Sequence, residues 1–422
     1  MDFKTHLKKY LDNDFINKLI NSFNEEEKKA LFLNASKLSK EAFINEFPNV
    51  IPHPVVENGF LYNKNEYEFG KHIYHDLGAY YIQEPSAMIV ADLLDYGEGD
   101  LVLDICAAPG GKTTGIALKS KGKGQIIAND LSKSRAITLL SNVERMGLSN
   151  VIVTSLDFSR IYKSYENTFT KIILDAPCSG SGMFRKSDLM KDDWTYEKVI
   201  RCAEIQKELI SYAYFMLKSG GEMIYSTCSY SYEEDEEVIK HLLSTTDAIL
   251  EHVPTIEGAY LSDDNHSIHL FPSMFNGEGH FIAKIRKPGE LIKYKDNKNI
   301  FTRNVLSKSG KKEIEEYELN LSIDKRLLDL SLRPGLFVDT IKDGKKVISH
   351  HYSHVENNYK YKYEINIDDA IKFIRGESLR ISDKLENEFY IVTYKKMAIG
   401  IAHFVDGQLK NLYPKGLRRN IN

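Results

Sequence analysis

The feature that most constrains the fold of this chain is a short apolar run that leads into a glycine turn. Residues 101–114 read L-V-L-D-I-C-A-A-P-G-G-K-T-T. The apolar run at 101–105 predicts a buried parallel strand, and the turn with Pro109, Gly110 and Gly111 precedes a helical pattern. The nearest phosphate-binding alternative is the P-loop, but its first glycine would fall at Cys106, and Pro109 removes one backbone donor. The turn therefore favours a nucleoside ligand without a pyrophosphate.

A carboxylate stands at the end of the next apolar strand. Residues 125–129, Q-I-I-A-N, form that strand, and Asp130 follows it. Doubly wound folds place at this point a carboxylate that binds ribose hydroxyls. The turn and the carboxylate together predict a ligand that contains a ribose, and they are shared by sites of several chemistries.

Length, charge and cysteine content define the class of protein. A chain of 422 residues is too long for one core and predicts two or three domains. The net charge of −4 gives no overall signal for nucleic acid, although residues 331–422 carry 16 Lys and Arg against 11 Asp and Glu, a net +5. Four scattered cysteines without a Cys-x-x-Cys pair predict neither a metal site nor a disulfide framework. With no signal peptide and no apolar run long enough to cross a bilayer, we expect a cytoplasmic protein without a membrane partner.

Strands and helices alternate through the middle of the chain. Strands are predicted at 101–105, 125–129, 151–154, 171–174 and 222–226, with helices at 85–94, 133–146 and 196–217 between or before them. This alternation predicts an α/β fold, a parallel sheet with helices on both faces. The usual strand order, 3-2-1-4-5, makes the fourth and fifth strands neighbours whose carboxyl ends face the ligand crevice.

The flanking segments complete a layout of four parts. Residues 1–90 are predicted to form an N-terminal α+β module, in which 1–50 are helical, and 91–287 to form the central domain, closed by a strand at 279–285. The lysine- and glutamate-rich residues 288–330 are predicted to be a linker. Residues 331–422, with turn signals at Asp343-Gly344 and Asp406-Gly407, are predicted to form a β-rich C-terminal domain.

Two cysteines follow the fourth and fifth strands. Residues 174–182 read L-D-A-P-C-S-G-S-G and 225–229 read Y-S-T-C-S, so the predicted strand order brings Cys178 and Cys228 together beside the ribose-binding loop. A single cysteine is more often a small buried hydrophobic residue than a catalyst, and we apply that interpretation to Cys106 and Cys202. For the pair at the crevice, catalysis and simple burial are equally open from the residues alone.

At these residues the chain resembles the Nop/Sun family of S-adenosylmethionine-dependent RNA cytosine-5 methyltransferases. The resemblance rests on four motifs of the central domain: D-I-C-A-A-P-G-G-K-T at 104–113, A-N-D at 128–130, L-D-A-P-C-S-G-S-G-M-F-R-K at 174–186 and I-Y-S-T-C-S at 224–229. The segments Y-Y-I-Q-E-P-S at 80–86 and G-E-G-H-F at 277–281 are also similar to the family. The layout, with Y-P-K-G-L-R at 413–418, is similar to the bacterial branch that modifies small-subunit ribosomal RNA and ends in a PUA-like domain.

The resemblance implies a fold, a cofactor and partners. It implies a Rossmann-like class I methyltransferase domain between an N-terminal α+β RNA-binding module and a β-rich, PUA-like C-terminal RNA-binding domain. The implied cofactor is S-adenosylmethionine and the implied partner is RNA, in particular 16S ribosomal RNA; we expect a monomer. Alternatives are a transfer-RNA or DNA cytosine methyltransferase and a non-catalytic RNA-binding factor of ribosome assembly. DNA enzymes take their nucleophile from a Pro-Cys dipeptide, which Pro177-Cys178 would supply.

The resemblance also implies the roles of individual residues. Carbon 5 of cytosine is a poor nucleophile until a thiolate adds to carbon 6, and Cys228 matches the family cysteine with that role. Asp175 matches the family residue at N3 of the pyrimidine and is expected to have a raised pKa, while Cys178 would assist release of the carbon 5 proton. The cofactor would be bound by Cys106, Ala107, Ala108, Pro109, Gly110, Gly111 and Lys112 at its methionine end, by Asp130 at its ribose, by Asp157 at its adenine, and by Asp175.

Several of these residues have an ordinary structural interpretation as well. Asp157 can cap a loop, and Lys112 can cap its helix from the solvent side. Arg185 and Lys186 can bind RNA phosphates or form surface salt bridges. Tyr225 and Phe184 can belong to the core or stack on an extruded base. Relatives often have glutamate at Ser181, proline at Tyr232, asparagine at Asp235 and glutamate at Asp130, and none of these departures removes a catalytic group.

Overall fold

The computed structural model describes residues 1–186, 188–307, 310–342, 344–355 and 358–419. Its helices are α1 Phe3–Leu7, α2 Asn13–Ser22, α3 Lys40–Glu46, α4 Ile73–Asp76, α5 Pro85–Asp92, α6 Gly111–Lys119, α7 Lys133–Met146, α8 Phe158–Ile161, α9 Asp188–Asp192, α10 Tyr196–Met216, α11 Glu236–Thr245, α12 Lys325–Leu330, α13 His350–Ser353 and α14 Ile367–Arg375. In the described ranges, none of these helices has the length and apolar character needed to cross a lipid bilayer.

The strands form four sheets. They are β1 Lys29–Leu33, β2 Ile51–Pro52, β3 Gly59–Tyr62, β4 Tyr80–Gln83, β5 Leu101–Asp104, β6 Gln125–Asn129, β7 Val151–Thr154, β8 Phe169–Asp175, β9 Leu217–Thr227, β10 Ile249–Glu251, β11 Tyr260–Leu261, β12 Ile268–His269, β13 Phe281–Arg286, β14 Asn299–Leu306, β15 Lys312–Leu319, β16 Leu336–Lys342, β17 Lys345–Ile348, β18 Lys362–Glu364, β19 Leu379–Arg380, β20 Phe389–Tyr394, β21 Met397–Val405 and β22 Gln408–Asn411.

The central sheet has the predicted strand order. Its parallel strands run β7-β6-β5-β8-β9, which is 3-2-1-4-5, and β13 pairs antiparallel with β9 as the predicted closing strand. The strands are buried on both faces because helices cover both faces. Val102 and Ile126 point into one apolar core, whereas Leu103 and Ile127 point into the other. This register brings the ends of β8 and β9 level, with Asp175 opposite Ser226.

The N-terminal module is an antiparallel sheet of order β2-β3-β1-β4 with helices around it. The prediction that residues 1–50 are helical is wrong at β1, which lies inside the sheet between β3 and β4. Residues Ala30–Leu33 of β1 are buried because both faces of the strand are covered. A strand buried on both faces has a continuous apolar sequence, which over a few residues resembles one face of a helix.

The predicted linker at 288–330 is folded, and that prediction is wrong. It contains β14, β15 and α12, and β15 pairs with β16, so a four-stranded sheet of order β14-β15-β16-β17 crosses the predicted boundary at residue 331. Side chains of β14 alternate between half-buried and exposed. A sheet with one solvated face carries lysine and glutamate on alternate positions, which hides the strand pattern in a charged composition.

The last part of the chain is the predicted β-rich region. Five strands run in the order β18-β20-β21-β22-β19, with β18 parallel to β20. The predicted turn at Asp406-Gly407 joins β21 to β22, and both residues have positive φ (+51° and +78°), as a tight hairpin requires. Asp343, of the other predicted turn, lies outside the described residues. The fold is therefore α/β at its centre and β-rich at its C-terminal end.

Candidate active site

The site lies where the carboxyl ends of the central parallel strands meet. The glycine turn follows β5, Asp130 follows β6, Cys178 follows β8 and Cys228 follows β9. Because parallel strands end at the same edge of a sheet, the loops that follow them face one crevice. The strand order thus brings the predicted cofactor turn and both predicted cysteines to one place.

The backbone of the glycine turn is fixed by its neighbours. Gly110 has a φ of +114° at the N-cap of α6, a conformation that L side chains rarely adopt. A Cβ on Gly111 would lie 2.6 Å from Nε2 of Gln83, so a side chain at this position would require the Gln83 side chain to move. The other backbone contacts of the turn are Ala107 N–H to the Asn129 carbonyl (2.7 Å), Arg135 to the Ala108 carbonyl (2.7 Å) and Asn142 to the Pro109 carbonyl (2.9 Å).

The two side chains at the ends of the turn point into the protein. The Cys106 thiol packs beside the apolar core, and burial raises its pKa, so it is a neutral group. Lys112 places its Nζ 2.5 Å from Oδ2 of Asp175, and only 14% of its side chain is exposed. The interpretation of Lys112 as a solvent-side helix cap is therefore wrong.

Two carboxylates at strand ends keep one oxygen available to the crevice. Asp130, 3% exposed, accepts a hydrogen bond from the backbone N–H of Ser132 at Oδ1 (2.9 Å). Its Oδ2 lies 3.3 Å from Nη2 of Arg135 without forming a hydrogen bond. Asp104, at the end of β5, accepts from Thr113 at Oδ2 (2.7 Å), and its Oδ1 has no partner within the described part of the chain. Burial raises the pKa of Asp104 to about 7.

Asp157 is the N-cap of α8. Its Oδ1 accepts from Oγ (2.5 Å) and the backbone N–H (3.2 Å) of Ser159, and its Oδ2 lies 3.0 Å from Nε of Arg160. The structural interpretation of this residue is thus correct. The loop of Asp157 follows β7 and so borders the same crevice. Contact between Asp157 and an adenine therefore stays a prediction.

The two thiols lie side by side. Sγ of Cys178 is 2.8 Å from Sγ of Cys228, in a partly buried position. The hydrogen bond with Cys228 and then burial raise the pKa of the Cys178 thiol well above its usual value. Cys178 is accordingly protonated at neutral pH, and either thiol can be the donor of the hydrogen bond between them.

Asp175 is ionised, and the prediction of a raised pKa is wrong. Burial alone would raise the pKa of this carboxyl, but the Lys112 ammonium, together with His280 and the hydrogen bond from Ser226 (2.8 Å), holds it below its usual range. His280 Nε2 lies 3.8 Å from Oδ1 of Asp175 and 3.5 Å from Nζ of Lys112. The crevice therefore contains a buried ion pair and not a protonated carboxyl.

Sequence reasoning missed Glu234, which is completely buried behind the two thiols. Its Oε2 accepts hydrogen bonds from the hydroxyls of Ser179 (2.5 Å) and Ser229 (2.6 Å), and its Oε1 accepts from the backbone N–H of Ser179 (2.7 Å). Gln206 donates to Oε1 as well (3.2 Å). The signal available in the sequence was weak, because Glu234 stands in an acidic run before a helix, which typically indicates a solvated first turn.

Three residues proposed for nucleic-acid contact lie in the interior instead. The Arg185 side chain is 2% exposed and its Nε lies 2.9 Å from Oε2 of Glu278, so the interpretation of Arg185 as an RNA phosphate ligand is wrong. Phe184 and Tyr225 are core residues, 4% and 0% exposed. Lys186 alone of this group is exposed.

The residues of the crevice fit S-adenosylmethionine. Within the described residues, Oδ2 of Asp130, which pairs with Arg135 without a hydrogen bond, and Oδ1 of Asp104, which has no partner, are buried acceptors that suit ribose hydroxyls and the positive end of a sulfonium or amino group. At Gly110 and Gly111 no side chain stands between the backbone of the turn and a ligand. The sheet order and this site define a Rossmann-like, S-adenosylmethionine-dependent methyltransferase.

Comparison with known proteins identifies the particular group. Residues 91–286 match the family model described as 16S rRNA methyltransferase RsmB/F. Residues 1–85 match the N-terminal domain of 16S rRNA methyltransferase RsmF, and 360–419 match the methyltransferase RsmF PUA domain. The chain belongs to the RsmF family of ribosomal RNA small subunit methyltransferases.

Individual relatives agree along the whole chain. The ribosomal RNA small subunit methyltransferase F of Shewanella woodyi is 31% identical over 92% of this chain and 90% of its own length. Among solved structures, a methyltransferase homologue from Pyrococcus horikoshii is 28% identical, with a TM-score of 0.57 over 67% of this chain and 98% of that one. NSun6 from the same organism, solved with an S-adenosylmethionine analogue, shares the fold at 23% identity, with a TM-score of 0.61 over 68% of this chain and 98% of its own.

Proposed function

We propose that the protein transfers a methyl group to carbon 5 of cytosine in 16S ribosomal RNA through a covalent bond between Cys228 and carbon 6. The observation that supports this most is the pair of thiols, 2.8 Å apart, at the crevice that also holds the glycine turn. Two adjacent thiols suit a reaction in which one bonds the ring and the other acts on the same ring. Carbon 5 cannot attack a methyl donor without such activation.

Cys228 is the proposed nucleophile. Its sulfur lies 2.8 Å from that of Cys178, whose thiol has a pKa well above its usual value and is therefore the poorer nucleophile of the pair. Addition of the thiolate forms a carbon 6–sulfur bond and moves an electron pair of the ring towards N3 and carbon 5, which becomes nucleophilic. S-adenosylmethionine, when bound at the glycine turn, supplies the methyl group.

Lys112 and Asp175 are proposed to meet the charge that develops on the ring. Since Asp175 is ionised, it would accept a hydrogen bond from the exocyclic amino group or from a protonated N3. The Lys112 ammonium, 2.5 Å from the Asp175 carboxylate, would donate towards N3 or O2. A pre-arranged ion pair of this kind stabilises charge without reorganisation during the reaction.

Cys178 is proposed to assist release of the product. After methyl transfer the carbon 5 proton passes to water as the base, its bonding electron pair restores the double bond of the ring, and the Cys228 sulfur departs as a thiolate. The Cys178 sulfur is the group adjacent to Cys228 on the neighbouring strand end. Loss of Cys178 would therefore slow the release step and leave the bond to Cys228 in place.

The remaining predicted residues are proposed cofactor ligands. Residues 106–112, with the free carboxylate oxygen of Asp130, would bind the methionine end and the ribose, and the loop with Asp157 would border the adenine. Residues 1–90 and 331–422 are proposed RNA-binding modules, which the small-subunit ribosomal RNA named for the relatives and the net charge of +5 at residues 331–422 support.

Separate substitution of the two cysteines tests the proposal. We expect C228A to form no denaturation-resistant adduct with small-subunit ribosomal RNA and no 5-methylcytosine. We expect C178A to accumulate that adduct, because attack survives and release does not. The adduct is measured by denaturing gel electrophoresis of labelled RNA, and the modified nucleoside by bisulfite sequencing.

A matched control is C202A, since Cys202 lies within α10 and on neither of the loops that follow β8 and β9. It should behave as the unsubstituted protein. The reverse pattern, an adduct that depends on Cys178 and persists without Cys228, would assign the chemistry to the Pro-Cys dipeptide as in DNA enzymes. Full methylation by C228A would refute covalent catalysis through this residue, and a wild-type protein that binds the RNA without modifying it would favour an assembly factor.

A further inference from the structure

The separation of the two thiols depends on two loops that come from different strands. Cys178 lies three residues after the end of β8, and Cys228 immediately follows β9. Beyond the last residues of the sheet, strand pairing no longer fixes the chain, so the sulfurs stay 2.8 Å apart only if the loops themselves are held. The residues next to the cysteines in sequence are Ser179 and Ser229, and both bind the same carboxylate.

We propose that Glu234 is a positioning residue that sets the distance between the two catalytic thiols through Ser179 and Ser229. One oxygen of the carboxylate takes the hydroxyl of each serine, at 2.5 Å and 2.6 Å. The other takes the backbone N–H of Ser179 at 2.7 Å. A displacement of either loop therefore stretches bonds to a group that the other loop also uses. The effect of Glu234 on the reaction rate rests on the proposed function, whereas its effect on the distance between the thiols does not.

Glu234 with Ser179 and Ser229 forms a clamp on the two cysteine loops, and this clamp also contacts the long helix α10. Gln206 donates to Oε1 of Glu234 (3.2 Å) and also to the carbonyl of Pro177 (2.8 Å), the residue before Cys178. Cys178 is thus held on both sides of its own peptide by groups that contact Glu234. The hydroxyl of Tyr225 donates to the backbone carbonyl of Glu234 (2.6 Å), which ties the clamp to β9.

The chemical nature of this site favours a positional role. Glu234, Ser179, Ser229 and Gln206 are all 0% exposed, and the four hydrogen bonds to the carboxylate come from two hydroxyls, one backbone amide and one side-chain amide. A carboxylate buried among neutral donors is costly, and the burial raises its pKa. A buried carboxylate offers two oxygens that each accept from more than one donor, which a neutral side chain does not match.

An arsenical titration measures the thiol separation without RNA or cofactor. Phenylarsine oxide bonds two thiols at once when their sulfurs are adjacent, so its affinity reports the geometry of the pair. We measure it in full-length protein with Cys202→Ala, which leaves the Cys178–Cys228 pair and Cys106, whose thiol packs against the apolar core. We expect tight one-to-one binding in this background, loss of tight binding in C178A, and at least tenfold weaker binding in E234Q.

Kinetics test whether the geometry matters for the reaction. In the otherwise unsubstituted protein, E234Q should lower the rate of adduct formation about tenfold with the KM for RNA and the affinity for S-adenosylmethionine unchanged. S179A/S229A should reproduce this loss, and addition of E234Q to that pair should bring little further loss, because the three residues act as one unit. If E234Q fails to fold, S229A alone carries the test, with weaker arsenical binding expected.

The matched control is E236Q, since Glu236 is buried in the same acidic run but accepts hydrogen bonds from Ser262 and His269 and from neither cysteine loop. It should retain arsenical affinity and adduct rate whatever its melting temperature. Unchanged arsenical binding in E234Q, or an equal loss in E236Q, would overturn the positional role. If C228A still forms an adduct while E234Q binds the arsenical weakly, the proposed function fails and the clamp stands.

Discussion

The substitution Gly182→Ala tests how closely the loops around the thiols are packed. A Cβ at position 182 would lie 2.9 Å from the backbone carbonyl oxygens of both Cys228 and Gly279. Carbon–oxygen contacts of this type are ordinarily about 3.3–3.6 Å, so the two carbonyls must move by about 0.4 Å or more. Both obstacles are backbone atoms, and the Cys228 carbonyl already accepts the N–H of Gly182 at 2.7 Å. The position therefore cannot adjust by rotating a side chain.

The expected costs follow from this displacement. Overpacking at a buried position costs about 1–3 kcal/mol of unfolding free energy. A misplacement of about 1 Å near reacting groups can cost roughly a hundredfold in rate, so a shift of this size at Cys228 should slow adduct formation about tenfold. Chemical denaturation measures the first quantity and single-turnover gel assays measure the second. The backbone conformation is not the obstacle, because Gly182 is absent from the positions with positive φ.

Gly416→Ala is the control for the same chemical change. A Cβ there would meet no atom within 4 Å, in the short helical turn Lys415–Leu417. It should leave both the unfolding free energy and the rate unchanged. An active, fully stable Gly182→Ala protein would show that the loops of residues 182 and 228 are not in the contact described here, and the packing argument for the thiol pair would fail with it.

Three further predictions concern charge and cofactor. Lys112→Met should lower the unfolding free energy by about 1–3 kcal/mol by removing the charged partner of the partly buried Asp175, and Asp175→Asn in the same chain should restore part of it, as a double-mutant cycle by denaturation will show. Because the pKa of Asp104 rises from 3.8 to about 7 on folding, native protein binds more protons between these values, and the unfolding free energy should fall by about 3 kcal/mol as pH rises from 4 to 7. Asp104→Asn should flatten this slope in pH-dependent denaturation. Saturating S-adenosylmethionine, at about a hundred times its Kd, should stabilise the fold by about 2.7 kcal/mol in thermal melts, and Asp130→Ala should weaken that shift; no shift for the unsubstituted protein would contradict the cofactor site.

The central sheet could be predicted because its strands are buried on both faces. Continuous apolar runs at 101–105 and 125–129, separated by helical patterns, predict a doubly wound parallel sheet, and the observed order 3-2-1-4-5 is the usual one for such a sheet. The sheet at 299–348 could not be predicted, because one of its faces is solvated and the lysines and glutamates on that face give the segment the composition of a linker. Strand β1 was missed for the opposite reason, since a short strand that is apolar on both faces has no alternation to detect.

The position of the site could be predicted from the sequence, but the protonation state of Asp175 could not. The strand order alone places Cys178 and Cys228 together, and their sulfurs are 2.8 Å apart. The ionised state of Asp175 depends on Lys112 reaching inward across the crevice, a distance between side chains 63 residues apart in the chain. No periodicity reports such a contact. For the same reason Arg185, which looks like a phosphate ligand in sequence, proves to be the buried partner of Glu278.

The acidic run after Cys228 shows why charge in a sequence does not indicate a surface. Negative residues at the start of a helix ordinarily face solvent and favour the helix dipole. In this run Glu233, Glu234, Asp235 and Glu236 are each at most 7% exposed. Each binds a different segment: Glu233 lies 3.3 Å from His6 of α1, Glu234 joins the cysteine loops, Asp235 accepts from Thr227 of β9, and Glu236 accepts from His269 of β12. Successive residues before a helix point in different directions. The four neighbouring carboxylates therefore bind four different segments of the chain, all next to the loop that contains Cys228. The loop of Cys228 is therefore held by contacts from the N-terminal module as well as from the sheet, and α1, a helix without chemistry of its own, is connected to the position of the nucleophile.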